Sequence, residues 1–297
     1  MEPETRFIYV PVPTLSFITA SAYLMRFILR SAFMGLLDGK KGLILNIANG
    51  RSIATHIADN CVKQGAKCGF GFLPMDNIEK SQRRVKKAME EFGFPNEWLH
   101  PCDVGSDESM DKFFAAAKEQ FGTIDFIVHC LAFANRDYLK TDSGVFASTP
   151  REVFKQALDI SAYSLIALTR GALPLMPNGG SVIALTYLGS EKVVPGYNVM
   201  GVAKAALEST ARYLAYDLGG QKIRVNTISA GPLRTLSAMA VGGIDEMFDH
   251  VARKAPLKRN IDGDEVGKTA VYLLSDLSSG VTGENIYVDS GFNTVGI

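Results

Sequence analysis

The sequence has no excess of charge of either sign. Its 31 Lys and Arg residues balance 31 Asp and Glu residues, so the formal net charge at pH 7 is zero. Without a net charge, the molecule as a whole has no field that attracts nucleic acid or an anionic membrane surface. The hydrophobic content of 47% and the charged content of 21% are those of an ordinary soluble globular protein. We therefore expect no nucleic-acid partner and no membrane span.

Metal-ligand spacing is also missing. The four cysteines, Cys61, Cys68, Cys102 and Cys130, show no paired spacing, and the four histidines form no cluster. Most of the cysteines lie in or beside apolar runs that are typical of buried strands. This placement favours small buried side chains in a reducing compartment over metal ligands or disulfides. We therefore expect no metal site and a cytoplasmic location.

The start of the chain lacks the basic residues of a signal peptide. Residues 7–25 contain no charged side chain, but two prolines among them weaken the interpretation as a membrane span. The chain changes character at Met34, which would itself be a natural beginning. We interpret residues 1–33 as an appended segment or as an upstream start codon included by mistake. A targeting or membrane-lying helix is the alternative.

From residue 42 onward, short apolar runs alternate with amphipathic stretches of helical period. Seven of the runs have the length and composition of buried strands. They are Leu43–Ala48, Lys67–Phe72, Glu97–Cys102, Ile124–Cys130, Ser181–Thr186, Ile223–Ser229 and Asn285–Gly291. Strands that alternate with helices form a parallel sheet covered on both faces. No linker or repeat divides the pattern, so we predict one doubly wound α/β domain at residues 34–297.

The glycine-rich fingerprint G-x-G-x-x-G is missing after the first predicted strand. The segment Asn46–Ala58, NIANGRSIATHIA, stands in its place. In doubly wound folds this turn is where backbone N–H groups and a helix dipole converge on a pyrophosphate. Ser52 has a hydroxyl that is expected to cap the helix and to contact phosphate. On this segment alone, nucleotide binding and a plain strand end at Gly50 both stay open.

A residue that selects the cofactor is missing after the second predicted strand. An acidic residue there binds the adenosine ribose of NAD, and a basic one favours NADP. Leu73 and Pro74 provide neither. After the third strand, Asp103 is placed either to accept a hydrogen bond from an adenine amino group or to cap the helix that begins near Asp107. These positions leave NADH and NADPH open.

One predicted helix carries a tyrosine and a lysine at an unusual spacing. Tyr197 and Lys204 are seven residues apart in PGYNVMGVAK, which is almost two helical turns, so both side chains share a face. A lysine near a tyrosine is expected to lower the pKa of the phenol by favouring its charged form. The alternative is an ordinary amphipathic helix with a lysine on its surface.

Several segments resemble those of enoyl-acyl-carrier-protein reductases, divergent members of the short-chain dehydrogenase/reductase superfamily. The segments are MGLLDGKKGLI, RSIA, CDV, DISAYS, TYLGSEKVVPGYNVMGVAKAALE, IRVNTISAGPLRTL and VTGENIYVDSGF, in this order. The resemblance covers residues 34–297. It implies a Rossmann-like fold, reduction of trans-2-enoyl chains on acyl carrier protein by NADH with NADPH as the second candidate, and a homotetramer.

Within this superfamily the spacing has a chemical interpretation. Carbonyl reductases place a tyrosine four residues before the lysine, where it protonates the oxygen on the carbon that receives the hydride. Here that position is Met200, which has no proton to donate. In enoyl reduction the hydride reaches the β-carbon, and negative charge develops on the thioester oxygen two carbons away. Tyr197 lies three residues earlier, a shift of about 4.5 Å along the helix axis, which matches the displaced charge.

The resemblance also assigns roles to individual residues. It implies that Tyr197 stabilises the enolate, that Lys204 binds the nicotinamide ribose, and that Tyr187 positions the substrate unless it is a plain buried aromatic. The implied cofactor contacts are Ala48, Ser52, Ile53, Asp103, Val104, Cys130, Leu131, Lys204, Gly231, Leu233 and Thr235. The implied substrate pocket is Ala132, Phe133, Tyr187, Met200, Met239 and Ile244.

The segment Thr235–Val251 is predicted to be a mobile lid over the acyl chain. It combines small residues, the Gly242–Gly243 pair and several apolar side chains directly after GPLRT. Glycines permit hinge movement, and apolar side chains are suited to covering a lipid chain. A static surface helix is the alternative.

Some positions depart from the family pattern. Relatives commonly have glycine at Asn46 and at His56, and serine, an apolar residue and glycine at Cys130–Ala132. Asparagine tolerates left-handed backbone angles less freely than glycine, and the Ala132 methyl is expected to narrow the pocket floor. These departures support a third hypothesis, a catalytically silent nucleotide-binding or assembly protein. A carbonyl reductase of the same superfamily is the second hypothesis, and Met200 argues against it.

Overall fold

The described residues contain seven β-strands, and at least one helix separates each strand from the next along the chain. The strands are β1 (Lys41–Leu45), β2 (Lys67–Phe72), β3 (Trp98–Pro101), β4 (Phe126–His129), β5 (Gly180–Thr186), β6 (Ile223–Ala230) and β7 (Asn285–Val288). They form one sheet in the order β3-β2-β1-β4-β5-β6-β7, and each neighbouring pair runs parallel. The predicted doubly wound parallel sheet is confirmed.

The computed structural model describes residues 35–75, 77–94, 98–235, 238–240 and 243–296. Contacts between Cα atoms join the described residues from Leu36 onward into one compact unit. The predicted extension, residues 1–33, lies outside the described residues and stays a prediction. No helix in the described part of the chain is long and apolar enough to cross a membrane.

Helices cover both faces of the sheet. They are α1 (Ile53–Lys63), α2 (Ile78–Glu91), α3 (Asp107–Phe121), α4 (Arg151–Leu158), α5 (Ser164–Ala172), α6 (Asn198–Leu218), α7 (Ile244–Lys254) and α8 (Gly263–Leu274). Ile44 of β1 belongs to the core that packs against α1, α2 and α8, whereas Leu43 and Leu45 belong to the core on the side of α3, α5 and α6. Because both faces are covered, the central strands β1 and β4 are buried at nearly every residue rather than at alternate ones.

The first strand ends earlier than the sequence predicts. The apolar run extends to Ala48, but β1 ends at Leu45 because Asn46 adopts a left-handed backbone with a φ of 68°. The Asn46 backbone N–H still donates to the carbonyl of Gly71 at 2.8 Å before the chain turns toward α1. The turn opens a crevice at the carboxyl ends of β1 and β4. Strand order changes direction there, and doubly wound folds bind their ligands at this point.

Helix α6 starts at the same edge of the sheet. Gly196, with a φ of 78°, turns the chain into the helix, and Tyr197 is its N-cap residue. The side-chain amide of Asn198 donates to the carbonyls of Tyr138 and Lys140, each at 2.9 Å. The beginning of α6, and with it Tyr197, is therefore fixed to the chain that follows β4.

Candidate active site

A cavity of about 630 Å³ opens at the carboxyl edge of the sheet. Residues at the ends of β1, β4, β5 and β6 form its walls, together with the first turn of α1 and the beginnings of α6 and α7. Its volume is in the range of cavities that hold small-molecule ligands. The cavity is therefore the candidate active site.

Most of the residues that the sequence assigns to cofactor and substrate line this one cavity. They are Ala48, Ser52, Ile53, Cys130, Leu131, Ala132, Phe133, Tyr187, Tyr197, Met200, Lys204, Gly231, Leu233, Thr235 and Ile244. Segments that are far apart along the chain meet here because the carboxyl ends of parallel strands share one edge of the sheet.

The structure places three of the assigned residues outside the cavity lining. The side chain of Val104 is buried in the core on the α3 side of the sheet. The carboxylate of Asp103 accepts a hydrogen bond from the Gly105 N–H at 2.9 Å, and Ser106 rather than Asp103 caps α3. Met239 is 52% exposed. Asp103, Val104 and Met239 therefore do not line the cavity.

Lys204 is buried against the cavity wall. Its Nζ donates to the carbonyl oxygen of Leu185 at 2.6 Å and to that of Leu131 at 3.4 Å. Only 4% of the residue is exposed. This desolvation lowers the pKa of Lys204 to about 8, although Cys130 and Glu208 act in the opposite direction. The alternative interpretation of Lys204 as a surface residue of an amphipathic helix is wrong.

Tyr187 and Tyr197 meet edge to face within the cavity. Their ring centroids are 4.9 Å apart and their planes are inclined by 72°. Burial raises the pKa of Tyr187 to about 12, and the charge of Asp289 adds to the shift. Burial also raises the pKa of Tyr197, and Tyr187 and Glu208 act in the same direction. Both hydroxyls are therefore protonated at neutral pH.

The expected effect of the lysine on Tyr197 is wrong. The sequence predicts a lowered pKa for this phenol because a nearby ammonium favours the phenolate. In the structure the pKa of Tyr197 is raised, because burial penalises the charged form. The ammonium of Lys204 donates to the carbonyls of Leu185 and Leu131. Tyr197 is thus a neutral hydrogen-bond donor rather than an activated phenolate.

A buried carboxylate, Glu208, lies near this pair and was not predicted from the sequence. It is 6% exposed and accepts a hydrogen bond from the hydroxyl of Thr186 at 2.5 Å. Its negative charge raises the pKa of both Lys204 and Tyr197. The available signal is its position four residues after Lys204, which places both side chains on one face of α6.

The first turn of α1 offers backbone N–H groups to the cavity. Ser52 is the N-cap residue, yet its side chain makes no capping hydrogen bond, and the first turn contains no acidic residue. The Ser52 hydroxyl instead donates to the carbonyl of Asn49 at 2.8 Å, so the predicted capping bond is wrong. A helix N-terminus without an acidic side chain favours an anionic ligand. This end of the cavity therefore fits the pyrophosphate of a dinucleotide.

Cys130 and Ala132, two of the positions that the sequence analysis singled out as departures from the family pattern, both line the cavity. Burial raises the pKa of the Cys130 thiol to about 12, so the side chain is a neutral thiol at physiological pH. The methyl group of Ala132 forms part of the wall without closing the cavity. In the part of the chain that the structure describes, no group of three His, Cys, Asp or Glu residues is placed to hold a metal ion.

His56 packs outside the centre of the cavity. Its ring meets Phe92 edge to face, with centroids 5.4 Å apart. On its other side lies Gly263, the first residue of α8, where an added Cβ would be 2.3 Å from the His56 ring. The His56 ring fits between the two helices because position 263 has no side chain, and it does not line the cavity.

Helix α7 reaches the cavity from the predicted lid. The hydroxyl of Tyr187 donates to the sulfur of Met247 at 2.9 Å. Arg234, just before the lid, pairs with Asp245 at 2.7 Å, and its guanidinium lies 4.5 Å from the centroid of the Phe248 ring. These contacts tie α7 to the strand ends that form the site.

Further lining residues were not assigned from the sequence. They are Asn46, Asn49, Ala54, Ala134, Asn135, Arg136, Leu139, Leu185, Thr186, Ala230, Pro232, Ala238 and Met247. Most are immediate neighbours of assigned residues, so extending each motif by one or two positions would have found them. Arg136 and Leu139 lie in the loop after β4, for which the sequence gives no motif. Residues 236–237 and 241–242 of the predicted lid lie outside the described residues.

The chain is similar to known proteins over the segments that form this site. A family model described as enoyl-(acyl carrier protein) reductase matches residues 47–293, which include every strand from β2 to β7 and the whole of the cavity except Asn46. The chain belongs to the enoyl-(acyl carrier protein) reductase family. The family resemblance inferred from the sequence is confirmed.

Members of this family are similar to the chain over almost their whole length. The enoyl-[acyl-carrier-protein] reductase (NADH) of Synechocystis is 50% identical over 266 residues, which are 88% of this chain and 99% of that protein. The enoyl-[acyl-carrier-protein] reductase (NADPH) of Staphylococcus aureus is 50% identical over 259 residues, which are 87% of this chain and 98% of that protein.

Solved structures in the family share the fold. The enoyl-acyl carrier protein reductase of Bacillus cereus, solved with NADP⁺ and indole naphthyridinone, has a TM-score of 0.84 and 46% identity, over 89% of this chain and all of that chain. The reductase of Anaplasma phagocytophilum, solved with NAD, has a TM-score of 0.82 and 43% identity, over 89% and 97% of the two chains. The Rossmann-like fold predicted for this family member is therefore confirmed.

Proposed function

We propose that this protein reduces the trans-2 double bond of enoyl chains on acyl carrier protein, with NADH as the hydride donor, in fatty-acid elongation. One observation carries the proposal: Tyr197 and Lys204 line one cavity, and Met200 occupies the position where carbonyl reductases have their tyrosine. The relatives described above are named for this activity, and the chain spans 98–99% of their length.

Tyr197 is proposed to stabilise the enolate. The nicotinamide cofactor, when bound, would supply a hydride to the β-carbon. Negative charge would then develop on the thioester oxygen, and a proton added at the α-carbon would complete the reduction. Because burial raises the pKa of Tyr197, its hydroxyl stays protonated and donates a hydrogen bond to that oxygen. Such a bond is strongest in the transition state, so it increases kcat more than substrate affinity.

Lys204 is proposed to hold the cofactor ribose and a positive charge beside it. Two of its three N–H bonds donate to the carbonyls of Leu185 and Leu131, which leaves the third for a ribose hydroxyl. The carbonyls fix the direction of the side chain before the ligand binds. Its charge also stabilises the developing enolate in a site where water is scarce.

The remaining lining residues are proposed to position the acyl chain and to exclude water. Tyr187 contacts Tyr197 with its ring and Met247 with its hydroxyl, which fixes the orientation of both aromatic rings. Met200 and Ile244 add buried apolar surface to the lining. An apolar wall of this kind suits a fatty chain and strengthens the electrostatic interactions inside it.

The two alternative functions have less support. A carbonyl reductase needs a proton donor near Met200, whose thioether is 4% exposed and has no proton to give. A catalytically silent protein is favoured by Asn46 and His56. Both residues are accommodated, by a left-handed turn and by Gly263, without loss of the cavity.

NADH is the proposed cofactor, and NADPH is the second candidate. After β2, Leu73 is 47% exposed and Pro74 follows it, so neither a carboxylate for the ribose nor a cation for a 2′-phosphate comes from these two positions. The names of the relatives include both cofactors. Dissociation constants for NADH and NADPH, measured by nucleotide fluorescence, would decide between them.

A homotetramer is proposed from the family resemblance and from exposed apolar side chains. Ile166 of α5 and Val202, Tyr213 and Tyr216 of α6 are 39%, 38%, 78% and 91% exposed. Apolar surface of this kind marks a protein interface, and closed symmetric assemblies of one chain are the commonest oligomers. We expect Tyr213→Asp to reduce the molar mass in light scattering, whereas Leu277→Asp, at a 64% exposed position outside these helices, leaves it unchanged.

Acyl carrier protein is the proposed protein partner, since it delivers the enoyl chain. The cytoplasm is the proposed location, because fatty-acid elongation of this type depends on soluble carrier and cofactor pools there. The proposed domain boundary at residue 34 rests on the sequence, and the compact unit from Leu36 onward supports it.

One assay separates the three functions. Oxidation of NADH and NADPH is followed by absorbance with crotonyl and with acetoacetyl thioesters. An enoyl reductase oxidises the cofactor with the crotonyl thioester and is nearly inactive with the acetoacetyl thioester. The reverse preference would establish a carbonyl reductase, and binding of NADH without turnover of either thioester would establish a silent nucleotide-binding protein.

A further inference from the structure

Asn46 connects the turn after β1 to the chain after β4. Its side-chain Nδ2 donates to the carbonyl oxygen of Cys130 at 2.9 Å, and its backbone N–H donates to the carbonyl of Gly71 at 2.8 Å. A glycine would permit the same left-handed backbone, but it has no side chain to make the bond to Cys130. Asn46, which departs from the family pattern, thus adds a hydrogen bond between two segments of the cavity wall.

Ser161 holds the same stretch of chain three residues further on. It lies in a π-helical turn, Asp159–Tyr163, between α4 and α5, and it is fully buried. Its hydroxyl accepts a hydrogen bond from the Phe133 N–H at 3.0 Å and donates to the Phe133 carbonyl at 3.2 Å. π-Helical turns are rare and are frequent at functional sites. Here the turn brings one hydroxyl to both backbone groups of a cavity residue.

Leu131 lies between Cys130 and Phe133, the two residues held by Asn46 and Ser161, and its carbonyl accepts a hydrogen bond from Lys204. The carbonyl of Leu131 accepts from the Nζ of Lys204 at 3.4 Å. Every residue of the segment Cys130–Phe133 lines the cavity. The position of this segment therefore affects both the cavity wall and the direction of the Lys204 ammonium.

We propose that Asn46 and Ser161 are positioning residues for hydride transfer. Together they fix the segment Cys130–Phe133, and through Leu131 they fix Lys204, against which the nicotinamide end of the cofactor is placed. The inference rests on the proposed function. Neither residue contacts the reacting atoms in this role, but a displacement of reacting groups by about 1 Å lowers turnover substantially.

Two substitutions test Asn46. Asn46→Gly keeps the left-handed backbone and removes the amide, and Asn46→Asp keeps the size but turns a donor toward Cys130 into an acceptor. We expect the Kd for NADH to rise about three- to tenfold in Asn46→Gly, the effect of losing one partly buried hydrogen bond, and to rise further in Asn46→Asp. The primary deuterium isotope effect on kcat with 4-deuterated NADH should increase, because hydride transfer becomes more rate-limiting.

Ser161→Ala tests the second positioning residue, with a readout in the cofactor-free protein. The Phe133 N–H loses its buried acceptor, so hydrogen exchange in the peptide that contains Phe133 should become about tenfold faster, since exchange follows local opening. The same isotope effect should increase as in the Asn46 variants.

Two control variants reproduce the chemical changes away from the cavity. Lys222→Gly relieves another left-handed residue, with a φ of 61°, at the opposite edge of the sheet. Ser181→Ala removes another buried hydroxyl, which donates to the carbonyl of Leu273 at 2.8 Å. Both controls should keep the wild-type Kd for NADH, isotope effect and exchange of the Phe133 peptide, even where their melting temperatures change.

The inference is overturned if the Asn46 and Ser161 variants melt at lower temperature but keep the wild-type Kd, isotope effect and exchange rate, because their role would then be structural only. Failure of the proposed function is separate: it appears as a wild-type protein that does not oxidise NADH with crotonyl thioester. In that case the Kd for NADH and the exchange of the Phe133 peptide still decide whether the two residues position the segment.

Discussion

The pKa of the Tyr197 hydroxyl depends on burial as well as on neighbouring charges. A nearby ammonium lowers the pKa of a phenol by about 1–3 units, and complete burial raises it by up to about 3–5 units. In the structure burial prevails, and the pKa of Tyr197 is raised. The sequence predicts the residue and its partner Lys204 from their spacing, but the direction of the shift depends on burial, which only the packed cavity determines. Glu208 was missed for the same reason.

The first prediction concerns a single group, the Tyr197 hydroxyl. Tyr197→Phe should lower kcat on crotonyl thioester by about 10²–10³, the usual effect of removing one donor to a developing oxyanion. The Kd for NADH should stay within about twofold of wild type, because the hydroxyl acts on the enolate. Tyr272→Phe, on α8 away from the cavity lining, is the matched control and should be unaffected. An unchanged kcat, measured where the isotope effect shows hydride transfer to be limiting, would remove Tyr197 from the mechanism.

The second prediction concerns the pH dependence that Lys204 confers. Burial lowers the pKa of Lys204 to about 8, so the ammonium is present below that pH and is lost above it. The kcat/KM for NADH, which reports groups of the free enzyme, should therefore be level near neutrality and fall above about pH 8. Lys204→Arg, whose charge does not titrate in this range, should show a lower but level profile. A wild-type profile that stays level to pH 10 would contradict the role of the ammonium.

At the scale of the elements, α6 packs closely against the turn Leu188–Ser190. The close approach is possible because Gly189 and Gly201, which face each other there, have no side chains. An added Cβ at Gly201 would lie 2.6 Å from the carbonyl oxygen of Gly189, and one at Gly189 would lie 2.5 Å from the Tyr197 ring. The sequence predicts α6 as the helix that carries both Tyr197 and Lys204. It does not predict this close approach, because the partner turn is recognised only after the strands are placed side by side.

The third prediction tests this contact. Gly201→Ala should lower the free energy of unfolding by about 1–3 kcal/mol, the usual effect of overpacking, and should lower turnover because the start of α6 carries Tyr197. Gly219→Ala, at the end of the same helix with a φ of −57° and open space around it, should change stability by less than about 1 kcal/mol. Denaturant unfolding measures both variants. If Gly201→Ala and Gly219→Ala had the same free energy of unfolding, the close packing of α6 against the turn would not contribute to stability.

The fourth prediction concerns the lid, which stays a proposal. The described part of α7 contacts Tyr187 through Met247 and contacts Arg234 through Asp245. Each of these two interactions is made by one side chain of α7, whereas β4 and β5 are hydrogen-bonded to a neighbouring strand on both sides. Hydrogen exchange in α7 should therefore be faster than in β4 and β5 and should slow when NADH and an acyl ligand bind. Protection of α7 equal to that of the central strands, with and without ligands, would establish the static helix instead.

For the whole molecule, the parallel sheet was predictable because both of its faces are buried. Central strands such as β1 and β4 then appear as short runs of buried residues, and the helices appear as amphipathic stretches between the strands. The first strand was predicted to continue to Ala48, but it ends before Asn46, where a left-handed backbone turns the chain. Hydrophobicity gives no information about this backbone angle. The cavity forms where the ends of four strands meet at one edge of the sheet. The lining residues at these strand ends belong to the family motifs and were predictable, whereas the lining residues in the loop after β4 belong to no motif and were not.

The fifth prediction concerns the segment before this sheet. A chain that begins at Met34 should fold, keep the melting temperature within a few degrees and retain reductase activity, because all the strands and cavity-lining residues that the structure describes follow that point. Melting temperature, molar mass in solution and turnover of the two chains are compared. A shortened protein that is folded but inactive, or soluble but unfolded, would show that residues 1–33 belong to the working enzyme.

The central claim is that the hydride reaches a carbon two positions from the oxygen that Tyr197 stabilises. Crotonyl-acyl carrier protein is reduced with 4-deuterated NADH of each stereochemical form, and the product is analysed by mass spectrometry and NMR. The account predicts butyryl-acyl carrier protein with deuterium on the β-carbon from one of the two forms, and almost no product from Tyr197→Phe in the same time. An unreduced double bond, or deuterium found only on a carbon that carried a carbonyl oxygen, would contradict it.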